Sequence, residues 1–226
     1  LGTVLRKRAQ LGESESSFRR AIQLKPDYAE AHNNLGNVFQ ELGKLDDSEI
    51  FFMRAIEIKP DYAEAHNNLG KTLQQLGKLK EAGASYKRAI ALKLDFAEAY
   101  NNLGITLQEL ENPEEALPYY DKAIALCPGD TEILMNRWKL LFDKGEYEAA
   151  LEDSDNCNTK TSRSRSLETL NALGRIDEIY SRVEQLPKLD DRNLDVAAFA
   201  AFVWLIVFPA TSKFEYFAFV SARKGM

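Results

Sequence analysis

The stretch Asp27 to Gly36 reads DYAEAHNNLG, and it returns residue for residue at Asp61 to Gly70 and once more, as DFAEAYNNLG, at Asp95 to Gly104. The spacing is 34 residues each time. Self-similarity at a fixed period of this size describes a stack of supersecondary units, none of which can bury its apolar face alone. With each unit counted from the alanine after the Asp-aromatic pair, the complete units are Ala29 to Tyr62, Ala63 to Phe96 and Ala97 to Asp130, with a further one from Thr131 to about Cys157.

Within a unit the apolar residues fall at helical spacing. His32, Leu35, Phe39 and Leu42 share one face of a first helix, and Ile50, Phe52, Ala55 and Ile56 share one face of a second. Gly43 and Gly77 are placed to end the first helix, and Pro26, Pro60 and Pro128 to close a unit. Asp27 with Glu30, Asp61 with Glu64 and Asp95 with Glu98 read as helix N-caps with a reciprocal acidic partner. Small residues recur at position 8 (Gly36, Gly70, Gly104), position 20 (Ser48, Ala82, Ala116, Ala150) and position 27 (Ala55, Ala89, Ala123), where they let the two helices of a pair approach closely.

Leu-Gly at positions 7 and 8, a small residue at 20, an aromatic at 24, Ala at 27 and Pro at 32 resemble the tetratricopeptide repeat. The resemblance covers Leu1 to about Cys157, with Leu1-Gly2 as positions 7 and 8 of a truncated first unit. It implies an all-α solenoid, a right-handed superhelix of antiparallel helix pairs, whose concave groove binds a partner peptide.

The expected organisation is an array over residues 1–158, a degenerate helical pair over 159–190 and a hydrophobic C-terminal segment over 191–226. Leu173-Gly174-Arg175-Ile176 echoes Leu42-Gly43-Lys44-Leu45 and marks the degenerate pair, while the polar run 153–166 reads as a loop or frayed helix end whose serines 162 to 166 could accept phosphate. Pro118 should kink its helix. Arg137 and Trp138 stand where Leu and Gly stood, so the fourth pair is not expected to pack as the others do. From Val196 to Phe208 thirteen consecutive residues are apolar, shorter than the roughly 18 that a membrane-spanning helix requires. Packing onto the last repeats, self-association, the start of a further domain and membrane contact are the open readings of 196–208.

The chain has 226 residues, a formal charge of −6 and two cysteines. That balance disfavours nucleic-acid binding by the whole chain. Cys127 and Cys157 have no CxxC neighbour and fit a reducing, cytoplasmic setting. There is no HExxH, GxSxG or Gly-rich phosphate loop in the sequence. His32 and His66 share position 4, where Tyr100 and Leu134 follow, so they read as packing residues rather than metal ligands. The expectation is a protein that is not an enzyme, with no metal and no small-molecule cofactor.

The informative polar feature is a ladder of asparagines. Asn34, Asn68, Asn102 and Asn136 share position 6, and Asn33, Asn67 and Asn101 share position 5. An amide both donates and accepts, as an extended peptide backbone requires, so these residues, with Asn37 and Lys71 at position 9, are the candidate peptide-binding set. The same amides could instead bond the neighbouring helix. Further groove candidates are Glu30, Glu64 and Glu98 at position 2 and the Gln and Glu residues at positions 12 and 13. The Asn-Leu-Gly pattern is similar to that of the repeat region of O-linked N-acetylglucosamine transferases, whose asparagines line a groove that holds peptide. Nothing in the chain resembles their catalytic domain. The expected function is therefore a non-catalytic interaction scaffold, or else the substrate-recruiting region of a larger modifying enzyme.

Overall fold

The computed structural model describes residues 2–157 and 159–184. Among them lie eleven helices and no strand: α1 (Gly2–Leu24), α2 (Ala29–Glu41), α3 (Leu45–Ile58), α4 (Ala63–Gln75), α5 (Leu79–Leu92), α6 (Ala97–Glu109), α7 (Pro113–Leu126), α8 (Thr131–Asp143), α9 (Tyr147–Asp155), α10 (Lys160–Ala172) and α11 (Ile176–Glu184). The chain divides into two compact units, one ending at Pro128 and one beginning at Gly129. The hydrophobic run 196–208, and the readings attached to it, lie outside the described residues.

In the first unit α2 pairs with α3, α4 with α5 and α6 with α7, and each pair stacks on the next through α3 on α4 and α5 on α6. The bend within a pair requires a left-handed residue. Gly43 and Gly77 supply it with φ of 73° and 74°, and Glu111 supplies it in the third pair at φ 62° against the ordinary preference of a side-chain-bearing residue. After each bend the backbone closes back on the helix, as where Lys44 N–H donates to the Phe39 carbonyl at 2.9 Å. In the truncated first unit the corresponding residue is Ala9. The expected bend is absent, and α1 runs as one helix of 23 residues.

The small residues do what their spacing implies. A Cβ on Gly36 would lie 2.7 Å from the Phe52 ring, one on Gly70 2.6 Å from Tyr86, and one on Gly104 2.8 Å from Tyr120. Position 8 is thus a flat bed for the position 24 ring, and Phe52, Tyr86 and Tyr120 are fully buried on it. Ala55, Ala89 and Ala123 are equally buried. Ser48 occupies its small site by donating from Oγ to the Gly36 carbonyl at 2.9 Å.

The helix starts differ from expectation. The residue preceding each first helix is Tyr28, Tyr62 or Phe96, and none of these three ends has a side-chain cap. Asp27, Asp61 and Asp95 sit one residue too early, inside a tight turn that Tyr28, Tyr62 and Phe96 close by donating their N–H to the carbonyls of Lys25, Lys59 and Lys93. Pro at the second place of such a turn presets its φ. The same lysines lie over the aromatic rings, 5.3, 4.8 and 4.7 Å from the centroids, so the junction is held by a cation on a ring instead of a carboxylate on an amide. A side-chain cap does occur at Asp130, whose Oδ1 accepts from Glu132 N–H at 2.9 Å and Ile133 N–H at 3.2 Å. Helix α7 starts on Pro113 as expected and continues through Pro118, with Tyr120 and Ala123 beyond it fully buried.

In the second unit α8 pairs with α9, α9 packs on α10, and α10 contacts α11. The fourth pair forms by exchanging sizes. Trp138 is large where Gly stood at position 8, Ser154 is small where an aromatic stood at position 24, and both are buried. Arg137 and Asp153 replace the apolar contact beside them with a bidentate ion pair at 2.9 and 2.5 Å, Asp153 being wholly buried. Residues 160–166, part of the run expected as a loop or frayed helix end, belong to α10. It begins in a capping box in which Thr159 and Ser162 each hold the other's N–H, at 3.0 and 3.1 Å. Ser162 and Ser166 are buried and hydrogen-bonded, which removes them as accessible phosphate acceptors. Gly174 makes the α10–α11 bend at φ 70°, and Arg182 binds Asp155 through two bonds while also touching Ser166.

Candidate functional site: the amide face of the first helices

The first helices of the three regular pairs, α2, α4 and α6, are lateral neighbours, so side chains at one repeat position form a row across them. At positions 5 and 6 the row is hydrogen-bonded to itself. Asn68 Nδ2 donates to Asn33 Oδ1 at 3.0 Å, and Asn102 Nδ2 donates to Asn67 Oδ1 at 3.2 Å. Asn67 donates onward to Glu98 at 3.3 Å. The two positions differ in depth. Asn33, Asn67 and Asn101 are 4, 1 and 4% exposed, whereas Asn34, Asn68 and Asn102 are half-buried. The structure therefore places the position 5 amides inside the seam between repeats and the position 6 amides at its surface. An amide in the seam cannot be left unbonded without a desolvation cost, which the bonds from position 6 remove.

A second row lies one to two turns further along. Gln40 donates to Thr72 Oγ1 and Gln75 Oε1 at 3.3 and 3.4 Å, and Gln74 donates to both oxygens of Glu109 at 3.0 Å. The hydroxyls of Tyr86 and Tyr120 donate to Gln74 and Gln108 from beneath. Burial pushes both phenols well above their ordinary range, with Glu98 and Glu109 adding to Tyr86 and Glu109 to Tyr120, so these hydroxyls remain protonated donors.

Between the rows lie Asn37, Lys71 and Ile105, all half-buried. Lys71 is engaged by Glu98 at 3.3 Å. Lys59 reaches Glu30 at 3.7 Å and Lys93 reaches Glu64 at 3.2 Å. A hydrogen bond from its own backbone holds the Glu64 carboxyl below its usual range, with Lys93 assisting against the effect of burial. Asn34 has no hydrogen bond to any described side chain, unlike Asn68 and Asn102. Asn136, the last of the position 6 set, lies half-buried on α8 in the second unit.

His32 and His66 serve the junctions. Each presents Nε2 to a proline carbonyl, Pro26 at 3.0 Å and Pro60 at 3.1 Å. A carbonyl can only accept, so the imidazole donates from Nε2. Among the described residues no group of three or more His, Cys, Asp or Glu side chains is arranged to hold a metal ion. No described helix is long and apolar enough to cross a membrane.

Family models described as "Tetratricopeptide repeat" match residues 27–95 and 61–129, and one described as "TPR repeat" matches residues 2–43. The chain belongs to the tetratricopeptide repeat family. Solved structures of the same fold include MamA (19% identity, TM-score 0.61, covering 79% of this chain and 97% of that one). They also include PilF of Pseudomonas aeruginosa (21%, 0.70, 98% and 94%) and YrrB, described as a TPR protein with an unusual peptide-binding site (21%, 0.61, 85% and 96%). No curated protein matches the sequence. Two residues depart from the pattern of the neighbouring repeats: Glu111 in place of the bend glycine, and Ser85 at position 23, where the flanking repeats carry Phe51 and Tyr119.

Proposed function

We propose that this tetratricopeptide repeat protein is a non-catalytic scaffold that holds an extended partner peptide across α2, α4 and α6. The observation that carries the reading is the surface row of position 6 amides. Asn68 and Asn102 each use an N–H on the seam, and their amide oxygens accept no bond from the described residues, so each keeps an acceptor and a second donor for a ligand. Asn34 keeps its whole amide. Neighbouring packed helices stand about 10 Å apart and an extended peptide rises about 3.3 Å per residue, so one Asn meets roughly every third residue of a bound backbone. Asn37, Lys71 and Ile105 line the path between the rows. Lys59, Lys93 and Lys71 balance the position 2 glutamates, so the charge the face keeps is that of Glu109, which favours a neutral or basic peptide. YrrB, with the same fold, is a precedent for peptide binding in this architecture.

The structure selects the variant that tests this. Changing position 6 throughout would also strip Asn33 and Asn67 of their donors, mixing binding with stability. Asn34→Ala combined with Asn37→Ala avoids the seam. Affinity capture with mass spectrometry on the wild-type chain should yield specific partners, and a synthetic segment of the strongest should bind the double variant about tenfold more weakly at an unchanged melting temperature. Equal binding by the two proteins would remove the amide face as the site.

A further inference from the structure

In the first and third complete units, on the side formed by the second helices, position 23 is an aromatic that lies against the ring at position 4 of its own unit. Phe51 stacks on His32 with centroids 6.0 Å apart, and Tyr119 lies against Tyr100 at 6.4 Å. In the middle unit Ser85 stands at position 23, next to Gly83 and Ala84. The missing ring leaves a cleft of about 360 Å³ between α3 and α5, with α4 as its floor. Met53 and Ile56 form one wall, Leu69 and His66 the floor, and Ser85 and Arg88 the other wall.

The neighbours register the gap. Leu35 and Leu103, at position 7 of the flanking units, are fully buried, but Leu69 is partly exposed. His32 is buried and His66 is not. Met53 is 48% exposed at the rim, next to Ile50 at 61%. The rim charges are not balanced. Glu57 is engaged by Arg54 at 2.8 Å, while Arg88 forms no ion pair with any described residue.

We propose that this cleft receives a phenylalanine or tyrosine side chain of a partner polypeptide, with a carboxylate adjacent to that ring meeting Arg88. The flanking units show which group fits, because the same place is filled there by Phe51 and Tyr119. The volume is ample, since an apolar cavity of about 150 Å³ already binds benzene. The guanidinium supplies the charge complementarity, as its planar donors suit a carboxylate. This surface belongs to the second helices and is separate from the amide face of the first.

The test is a methyl NMR titration of the full chain with acetyl-Ala-Phe-Glu-Ala-amide, following Met53 and Leu69. Saturable shifts of both are expected, with none from acetyl-Ala-Ala-Glu-Ala-amide. Ser85→Tyr, which restores the flanking pattern, should abolish the shifts and raise the melting temperature. Arg88→Glu, at an exposed site that leaves the packing alone, should weaken the Phe-Glu peptide about fivefold or more while sparing its Phe-Gln counterpart. Shifts that persist in Ser85→Tyr, or that are equal for the Phe-Glu and Ala-Glu peptides, would overturn the proposal. So would the lack of saturable shifts, or shifts that grow with protein concentration alone, which would assign the cleft to a second copy of the chain.

Discussion

Single residues carry most of the geometry of a repeat, and two of them, one that departs from its position and one that keeps it, predict measurable effects. Glu111 holds the left-handed conformation that Gly43 and Gly77 hold elsewhere, at a cost of about 1 kcal/mol for a residue with a Cβ. Its side chain is exposed, so Glu111→Gly should stabilise the chain by about 0.5–1 kcal/mol, seen as a higher urea midpoint at unchanged m-value. Gly70 is the opposite case. A methyl there would stand 2.6 Å from Tyr86, and overpacking of about 1–3 kcal/mol outweighs the gain of about 1 kcal/mol from better helix propensity. Gly70→Ala should therefore lower the urea midpoint.

His66 gives the pH dependence a sign. Burial lowers its pKa from the ordinary value of 6.5, against the hydrogen bond to Pro60 and with help from Arg88. The unfolded chain then takes up the proton first as pH falls, so His66 costs no stability above about pH 7 and progressively more as pH drops through 6.5 toward the folded value. Melting temperature should fall over that window, and His66→Tyr, copying Tyr100, should flatten it. Asp155 acts at lower pH. Burial alone would raise its carboxyl, but hydrogen bonds from Arg182 and Ser166 hold it below the usual range, so its contribution is intact above about pH 4 and is lost in more acid solution.

At the scale of elements, the fourth pair shows how a helix hairpin survives the loss of its signature. Trp138 and Ser154 keep the summed bulk of a Gly and an aromatic by trading places, and Arg137 with Asp153 replaces an apolar contact. The buried carboxylate makes that replacement brittle, because removing one partner strands the other. Arg137→Leu alone, which leaves the wholly buried Asp153 carboxylate without its guanidinium, should cost about 3–5 kcal/mol, and adding Asp153→Leu should recover most of it, which a double-mutant cycle in urea would read directly. The helices, their bends at Gly43, Gly77 and Gly174, and the small residues under the position 24 rings were all legible in the sequence, because period and glycine placement report backbone geometry. The caps were not. Asp27 and Glu30 have the right spacing for a capping box, but the proline turn shifts the helix start to the aromatic, and a lysine-on-ring contact leaves no signature in helical periodicity. The polar run at 160–166 misled for a related reason, since Ser162 and Ser166 are buried by bonding to Cys157, Thr159 and Asp155 rather than by being apolar.

For the molecule as a whole, the question is what couples one repeat to the next, because an array of this kind is stable only through its interfaces. The position 5 and 6 asparagines are part of that coupling. The sequence showed the ladder but could not show that its two rungs differ, since both are Asn at helix-interior sites; depth separates them, with Asn67 1% exposed and Asn102 at the surface. Asn102→Ala would leave the buried Asn67 oxygen without its donor, a penalty of about 1–3 kcal/mol, although Ala is the better helix former. The loss should be local. Hydrogen exchange at fixed pH should quicken in α6 and α7 while α2 and α3 keep their protection, because the seam between α4 and α6 is the one opened and the Asn68–Asn33 bond is untouched. Uniform acceleration through all six helices would instead mean that the first unit opens as one cooperative block and that the amide row adds nothing distinct at each junction.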